Sequence, residues 1–560
     1  MPNIILTPVT LWRDFDDSLP FEEEIVSERR EGGAVHRELY FHGRPTREGR
    51  VKIFAKYAFP EGKESFPAVL VLFEAGFGFD ERFVSLLLGQ GYGVFCVDYC
   101  GENGTERHTR YPEDIAYANY VRAGDHLQFA EPSARETSWY EWAGVARYAA
   151  RYLAERAEVT SIGAIGLRTG GEVLFKVAPY AKLSCFISVC AAGWLAYRGM
   201  DKFGDGEKRV FDDERHRFIA GIDSQSYAPY VKCPVLLLSA VNDRKYNYDR
   251  VYDTFRQINA EVEKGILFSA HGNGLIGSRS LRDLVLFLEK YLKGHSVYIS
   301  RPIALETAED EKGNLVARFT YDEQGEIEDF GVFFTEKITA SQSRDWTCVL
   351  GERSNLSGGV ATVPLDAYVG CEKMLVYAFA QYSNGFSVTS KIMEVTLKKQ
   401  YANSRPKSRV VYSNRDGKNG FTAFSRRKSA IADCFSDGKT EGVRLLPGYG
   451  GIEGITSDSG LISYRVSEPR YEAPEGASFH FDAYSAKNAT LKITFYMDTE
   501  EKVGYSEVVS VEGGGKWKSF LLSPSDFKSE TGAPLPDFAK AVSLVFERDE
   551  ETLINNVLWI

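Results

Sequence analysis

The chain has 560 residues, 44 % of them hydrophobic, and a formal net charge of -11. That length exceeds one hydrophobic core, so about three domains are expected at roughly 100–200 residues each. The acidic balance argues against nucleic acid or an anionic membrane as partner, and no run approaches the roughly 18 apolar residues of a membrane span. The first dozen residues lack the basic-then-apolar pattern of a secretory leader. Eight cysteines (96, 100, 185, 190, 233, 348, 371 and 434) are scattered, with no Cys-x-x-Cys pair and no histidine at ligand spacing. They read as buried thiols of a cytoplasmic protein that carries no metal and no cofactor.

Residues 1–60 form an introductory layer that ends in an alternating strand over 52–60. The apolar run 67–73 reads as a buried parallel strand, and its glycine-rich exit leads to a helix over 81–89 and a strand over 91–98. Residues 99–137 are polar and irregular, a lid-like excursion too long for a plain connection. A helix over 138–153 follows, with Ser138 as its N-cap. Further buried strands are expected at 184–190, 233–240 and 265–269, with a charged insertion over 195–230 and a closing helix over 281–292. This alternation of strands and helices defines an α/β domain over residues 1–295. From 296 to 400 short alternating strands predict an immunoglobulin- or fibronectin-like β-sandwich. A polar linker is expected over 401–414, then a second all-β domain over 415–560. The 36 Phe and 31 Tyr fit aromatic sandwich cores.

The stretch 161–175 organises the first domain. An apolar run stops at Gly166-Leu167-Arg168-Thr169-Gly170-Gly171, and a helix-forming run follows. That is the layout of a nucleophile elbow, the Gly-x-Ser-x-Gly corner that displays a serine above a sheet. Arg168 stands where the serine belongs. A guanidinium stays protonated and offers no lone pair, so it cannot attack an acyl carbon.

The other parts of a catalytic triad are in place. Asp243 follows the 233–240 strand and His271 follows the 265–269 strand, in the chain order nucleophile, acid, base. Either residue alone is equally a turn aspartate or a surface histidine; together around the elbow they read as the remnant of a triad. Oxyanion donors are expected from the backbone at Glu74-Ala75-Gly76 and at Thr169, and the Glu74 carboxylate is placed to pair with Arg168.

With Ser138-Trp139-Tyr140 before the elbow and Cys190-Ala191-Ala192-Gly193-Trp194 after the next strand, residues 35–294 resemble the acetylxylan esterase and dienelactone-hydrolase-like branch of the α/β hydrolases. The resemblance implies deacetylation of sugars by a serine at position 168, with acid 243 and base 271; this chain matches the last two and departs at the first. Leu461-Ile-Ser-Tyr-Arg465, Lys516-Trp517-Lys-Ser-Phe520, Pro524-Ser-Asp-Phe527 and Ile554-Asn-Asn-Val-Leu-Trp559 resemble the jelly roll of carbohydrate-binding modules, in which Trp517 is either core or sugar platform.

Three readings stay open at this point. In the first, a carbohydrate-associated pseudo-esterase binds a small molecule or sugar, acidic ones included, with Arg168 holding the anion. In the second, His271 and Asp243 run non-serine hydrolysis with Arg168 stabilising the oxyanion. In the third, the chain is a structural protein.

Overall fold

A computed structural model of the chain describes residues 5–102, 106–204, 210–243, 245–269, 277–424 and 442–560. Within them the first domain is built on a sheet of β1 (Glu24–Glu31), β2 (Ala34–Pro45), β3 (Arg50–Pro60), β4 (Phe66–Leu72), β5 (Gly93–Asp98), β6 (Val159–Leu167), β7 (Cys185–Val189), β8 (Val235–Ala240) and β9 (Lys264–Ser269). The spatial order is β1-β2-β3-β5-β4-β6-β7-β8-β9. From β5 to β9 all neighbours are parallel, and the introductory strands add antiparallel.

β5, β7 and β8 are buried at every residue. They read as unbroken apolar runs because helices cover both faces of a parallel sheet. Helices Ser138–Ala154 and Thr169–Val177 close one face through Trp142, Tyr148 and Phe175. Helices Glu81–Gly89 and Ser278–Lys293 close the other through Phe83, Leu87, Leu284 and Phe287. No helix among the described residues is long and apolar enough to cross a membrane.

The long helix starts one residue earlier than the sequence pattern indicated. Thr137, in extended backbone, is the N-cap and accepts from the Tyr140 N–H, whereas Ser138 is already helical. The Ser138 hydroxyl instead donates to the Tyr117 carbonyl at 2.8 Å. The excursion over 99–137 is tied down at its root. Asp98, at the end of β5, accepts the backbone N–H groups of Cys100, Gly101 and Thr109 at 3.1, 3.1 and 2.7 Å.

Two β-sandwiches follow. The first packs a sheet containing Leu315–Thr320 and Val360–Pro364 on one containing Ile327–Thr335 and Lys373–Tyr382. The second encloses an aromatic core of Phe479, Phe481, Phe495, Phe527, Phe538 and Trp559. Its first strand, Val410–Tyr412, pairs antiparallel with its last, Leu553–Trp559. The expected linker over 401–414 therefore ends in a strand, because Val411 and Tyr412 are wholly buried in that core. Trp517 is half-buried: its Nε1–H donates to the Tyr449 carbonyl at 3.2 Å, and its ring lies 5.6 Å from that of Tyr484.

The first sandwich grips the α/β domain. Thr389 meets the β9 edge, accepting from Phe268 N–H at 3.1 Å and donating to the Ile266 carbonyl at 3.3 Å. Arg344 and Asp249 form an ion pair at 2.8 Å with both side chains fully buried.

Candidate functional site

The chain runs from β4 to β5 on one side of β4 and then crosses to β6 on its other side. The carboxyl ends of β4 and β6 thus mark the point where strand order reverses, which is where open α/β sheets form their crevice. Glu74, Ala75 and Gly76 follow β4, Arg168 follows β6, and Asp243 follows β8.

Arg168 is the sharp corner between β6 and helix Thr169–Val177, at φ 51° and ψ -111°. Only glycine fits around it: a Cβ at Gly166 would lie 2.5 Å from the Gly170 carbonyl oxygen, and one at Gly170 would lie 2.1 Å from that of Leu72. The elbow expected from the sequence is therefore formed, with a non-glycine residue held at positive φ at its apex.

The guanidinium is turned onto two carboxylates. Nη1 and Nη2 reach Asp243 Oδ2 and Oδ1 at 3.2 and 3.3 Å, and Nε reaches Glu74 Oε1 at 3.2 Å. Lys245 Nζ joins the same Glu74 oxygen at 2.7 Å, so two cations and two anions balance. Burial opposes the charge on Arg168, but the Asp243 and Glu74 carboxylates outweigh it and hold the guanidinium above its ordinary pKa. Asp243 Oδ1 also accepts the N–H groups of Lys245 and Tyr246 at 2.7 and 3.0 Å. The pairing of Arg168 with Glu74 was expected; that with Asp243 was not, and it turns the Asp243 carboxylate toward the elbow. His271 lies outside the described residues.

One of the expected oxyanion donors, the Ala75 N–H, is already engaged. The Ala75 N–H donates to Thr169 Oγ1 at 2.6 Å, which lies 2.8 Å from Tyr99 Oη, which lies 2.7 Å from the Phe73 carbonyl. A phenol has one hydrogen, and the carbonyl can only accept, so the order runs Ala75 N–H to Thr169, Thr169 O–H to Tyr99, Tyr99 O–H to Phe73. Gly76, at φ 82°, passes under the Tyr120 ring.

Beside the elbow opens a cavity of about 620 Å³. Tyr120, Phe129, Trp139, Leu195, Phe211 and Phe218 wall it, and Thr169, Lys245 and Tyr246 reach its inner end. Trp139 comes from the helix Ser138–Ala154 and the other wall residues from the lid-like excursion and the charged insertion; the spacing within those two segments carried no signal for a cavity, since each contributes only a few residues to the wall.

No family model matches the chain. Acyl-coenzyme A thioesterase 3 from Mus musculus is 29 % identical over 140 residues, 25 % of this chain and 25 % of that protein. Among solved structures, the acetyl xylan esterase from Paenibacillus sp. R4 is similar with a TM-score of 0.41 at 14 % identity, over 52 % of this chain and 96 % of that one. Acetyl xylan esterase 1 from Thermoanaerobacterium sp. JW/SL YS485 gives 0.37 at 16 %, over 47 % and 87 %, and the Pyrococcus horikoshii acylaminoacyl peptidase 0.35 at 16 %, over 52 % and 58 %. The sheet order, the elbow and the crevice define the class: the first domain has the α/β-hydrolase fold. Behind it stand two all-β domains.

Proposed function

We propose that this chain is a carbohydrate-associated pseudo-esterase: an α/β-hydrolase-fold domain that binds a small molecule or sugar bearing an acidic group at its former active-site edge and does not form an acyl-enzyme. One observation carries the reading. The nucleophile position holds Arg168, and that arginine occupies the carboxylate of Asp243, whose task in a triad is to orient the base. The Ala75 donor is likewise spent on Thr169. The carbohydrate association rests on the sequence resemblance, and the cytoplasmic assignment on cysteine usage.

Retention of the edge as a binding site is supported by its backbone. Arg168, Cys190, Ala192, Trp194 and Asn242 are non-glycine residues at positive φ, all on loops after β6, β7 and β8. Such conformations cost on the order of 1–3 kcal/mol each and persist where a site over-determines them. The test is 4-nitrophenyl acetate hydrolysis by the full chain, expected at background and unchanged by His271→Ala. Turnover that His271→Ala abolishes would overturn the reading in favour of a non-serine hydrolase.

A further inference from the structure

The cavity's charges differ in how they are committed. Asp212 caps helix Asp213–Gly221, accepting from the Arg215 N–H at 2.8 Å. Glu214 accepts the Ala130 N–H at 2.6 Å and pairs with Arg215 at 2.9 Å. Arg215 also donates to the Gln128 carbonyl and stacks over Phe218 at 4.8 Å. Lys245 is held by Glu74; Arg168, which does not line the cavity and is 11 % exposed at its side chain, spends three nitrogens on internal carboxylates. Arg198 differs. It lines the cavity, is exposed, and makes no side-chain hydrogen bond or ion pair with a described residue. Glu500, on an exposed turn of the second sandwich, is held below the usual carboxylate range first by Lys502 and last by Arg198, without pairing with Arg198.

We infer that the cavity takes an amphipathic acid, an aryl or alkyl body seated between Phe129, Trp139 and Phe211 with its carboxylate on Arg198. This deepens the binding reading above and rests on it. An anion meets Arg198 without displacing a bond to any described residue and gains a charge-assisted contact. A cation would have to compete for carboxylates already engaged by N–H groups. The aromatic wall rewards apolar area, so a bare sugar acid would satisfy the cation and leave the wall unused. Phe129, 42 % exposed, continues the apolar wall to the mouth of the cavity. Arg168 is not the anion acceptor expected from the sequence, because its fork is filled from within.

The test is calorimetric titration of the full chain with 4-phenylbutyrate, 4-phenylbutanol, 4-phenylbutylamine and galacturonate. The phenylbutyrate acid should bind at least about tenfold more tightly than the other three, a ratio matching one hydrogen bond to a charged group. Arg198→Ala should remove that margin over the alcohol, Arg198→Lys should keep part of it, and Phe129→Ala should weaken phenylbutyrate without touching the charge preference. Both positions are exposed enough to vary without disturbing the core. Equal binding of acid and alcohol, equal binding of phenylbutyrate and galacturonate, an unaffected Arg198→Ala variant, or no binding by any probe would overturn the inference. Equilibrium binding is read independently of turnover. An active chain that still ranks the acid first would overturn the pseudo-esterase reading and support the ligand class.

Discussion

The Thr169 hydroxyl lies 2.6 Å from the Ala75 nitrogen and accepts its hydrogen. The elbow pattern expects oxyanion donors from the backbone at positions 75 and 169, and the Thr169 side chain engages the first of them. On the proposed pseudo-esterase reading, the arginine at position 168 and the engaged Ala75 N–H are separate obstacles to acyl transfer, and replacing the arginine removes only one of them.

Arg168→Ser alone should therefore stay at background on 4-nitrophenyl acetate. Arg168→Ser with Thr169→Ala releases the Ala75 N–H and should run about a hundredfold faster than the single variant, the usual worth of one oxyanion donor. Equal rates in the two variants would show that this donor is not what is missing.

The Arg168–Asp243 pair is buried, and removing one partner of such a pair strands the other. Asp243→Asn should lower unfolding free energy by about 3 kcal/mol in urea titrations. Adding Arg168→Met should recover part of the loss, with a coupling energy of at least about 1 kcal/mol between the sites. Additive losses would mean that the pair contributes nothing as a pair.

Burial pushes the Asp98 carboxyl up to about 6, against the N–H bonds from Thr109 and Cys100 that favour its charge. An acid raised above its unfolded value of 3.8 contributes stability fully below pH 3.8, and that contribution is lost as pH rises through about 6. Wild type should lose stability relative to Asp98→Asn between about pH 4 and 6, with a flat difference above. A flat difference across the whole range, in urea midpoints measured at each pH, would refute the assignment.

Asn242 Nδ2 donates to the Arg344 carbonyl at 2.7 Å, and the Arg344 guanidinium pairs with Asp249. The first sandwich thereby holds both ends of the loop that carries Asp243. Arg344→Ala should destabilise the chain by about 3–5 kcal/mol and raise hydrogen exchange over residues 245–250 more than over β4 or β6. Exchange that rises evenly through the α/β domain would place the effect in global stability alone.

Much of this was legible along the chain. The apolar runs of β4, β7 and β8 announce parallel strands buried on both faces, and Gly166 and Gly170 announce a corner that tolerates no Cβ. These are properties of period and local sterics, readable within a dozen residues. The closing helix, read over 281–292, spans Ser278–Lys293 because its apolar stripe is complete in one segment. The first strand of the second sandwich was missed inside a basic linker, since Val410–Tyr412 is only three residues long and its partner lies at the far end of the domain.

The sequence by itself determined the α/β domain, the two sandwiches, the elbow and the arginine at its apex. The sequence also offered Glu74 as a partner for that arginine, but only the tertiary structure decided that Asp243 shares it. Glu74 and Asp243 are 94 and 75 residues from it, and they reach it because β4, β6 and β8 run parallel and deliver the loops after them to one edge of the sheet. Charge pairing among distant loops depends on that convergence and on which hydroxyls and N–H groups arrive with it, and no local pattern of residues encodes either.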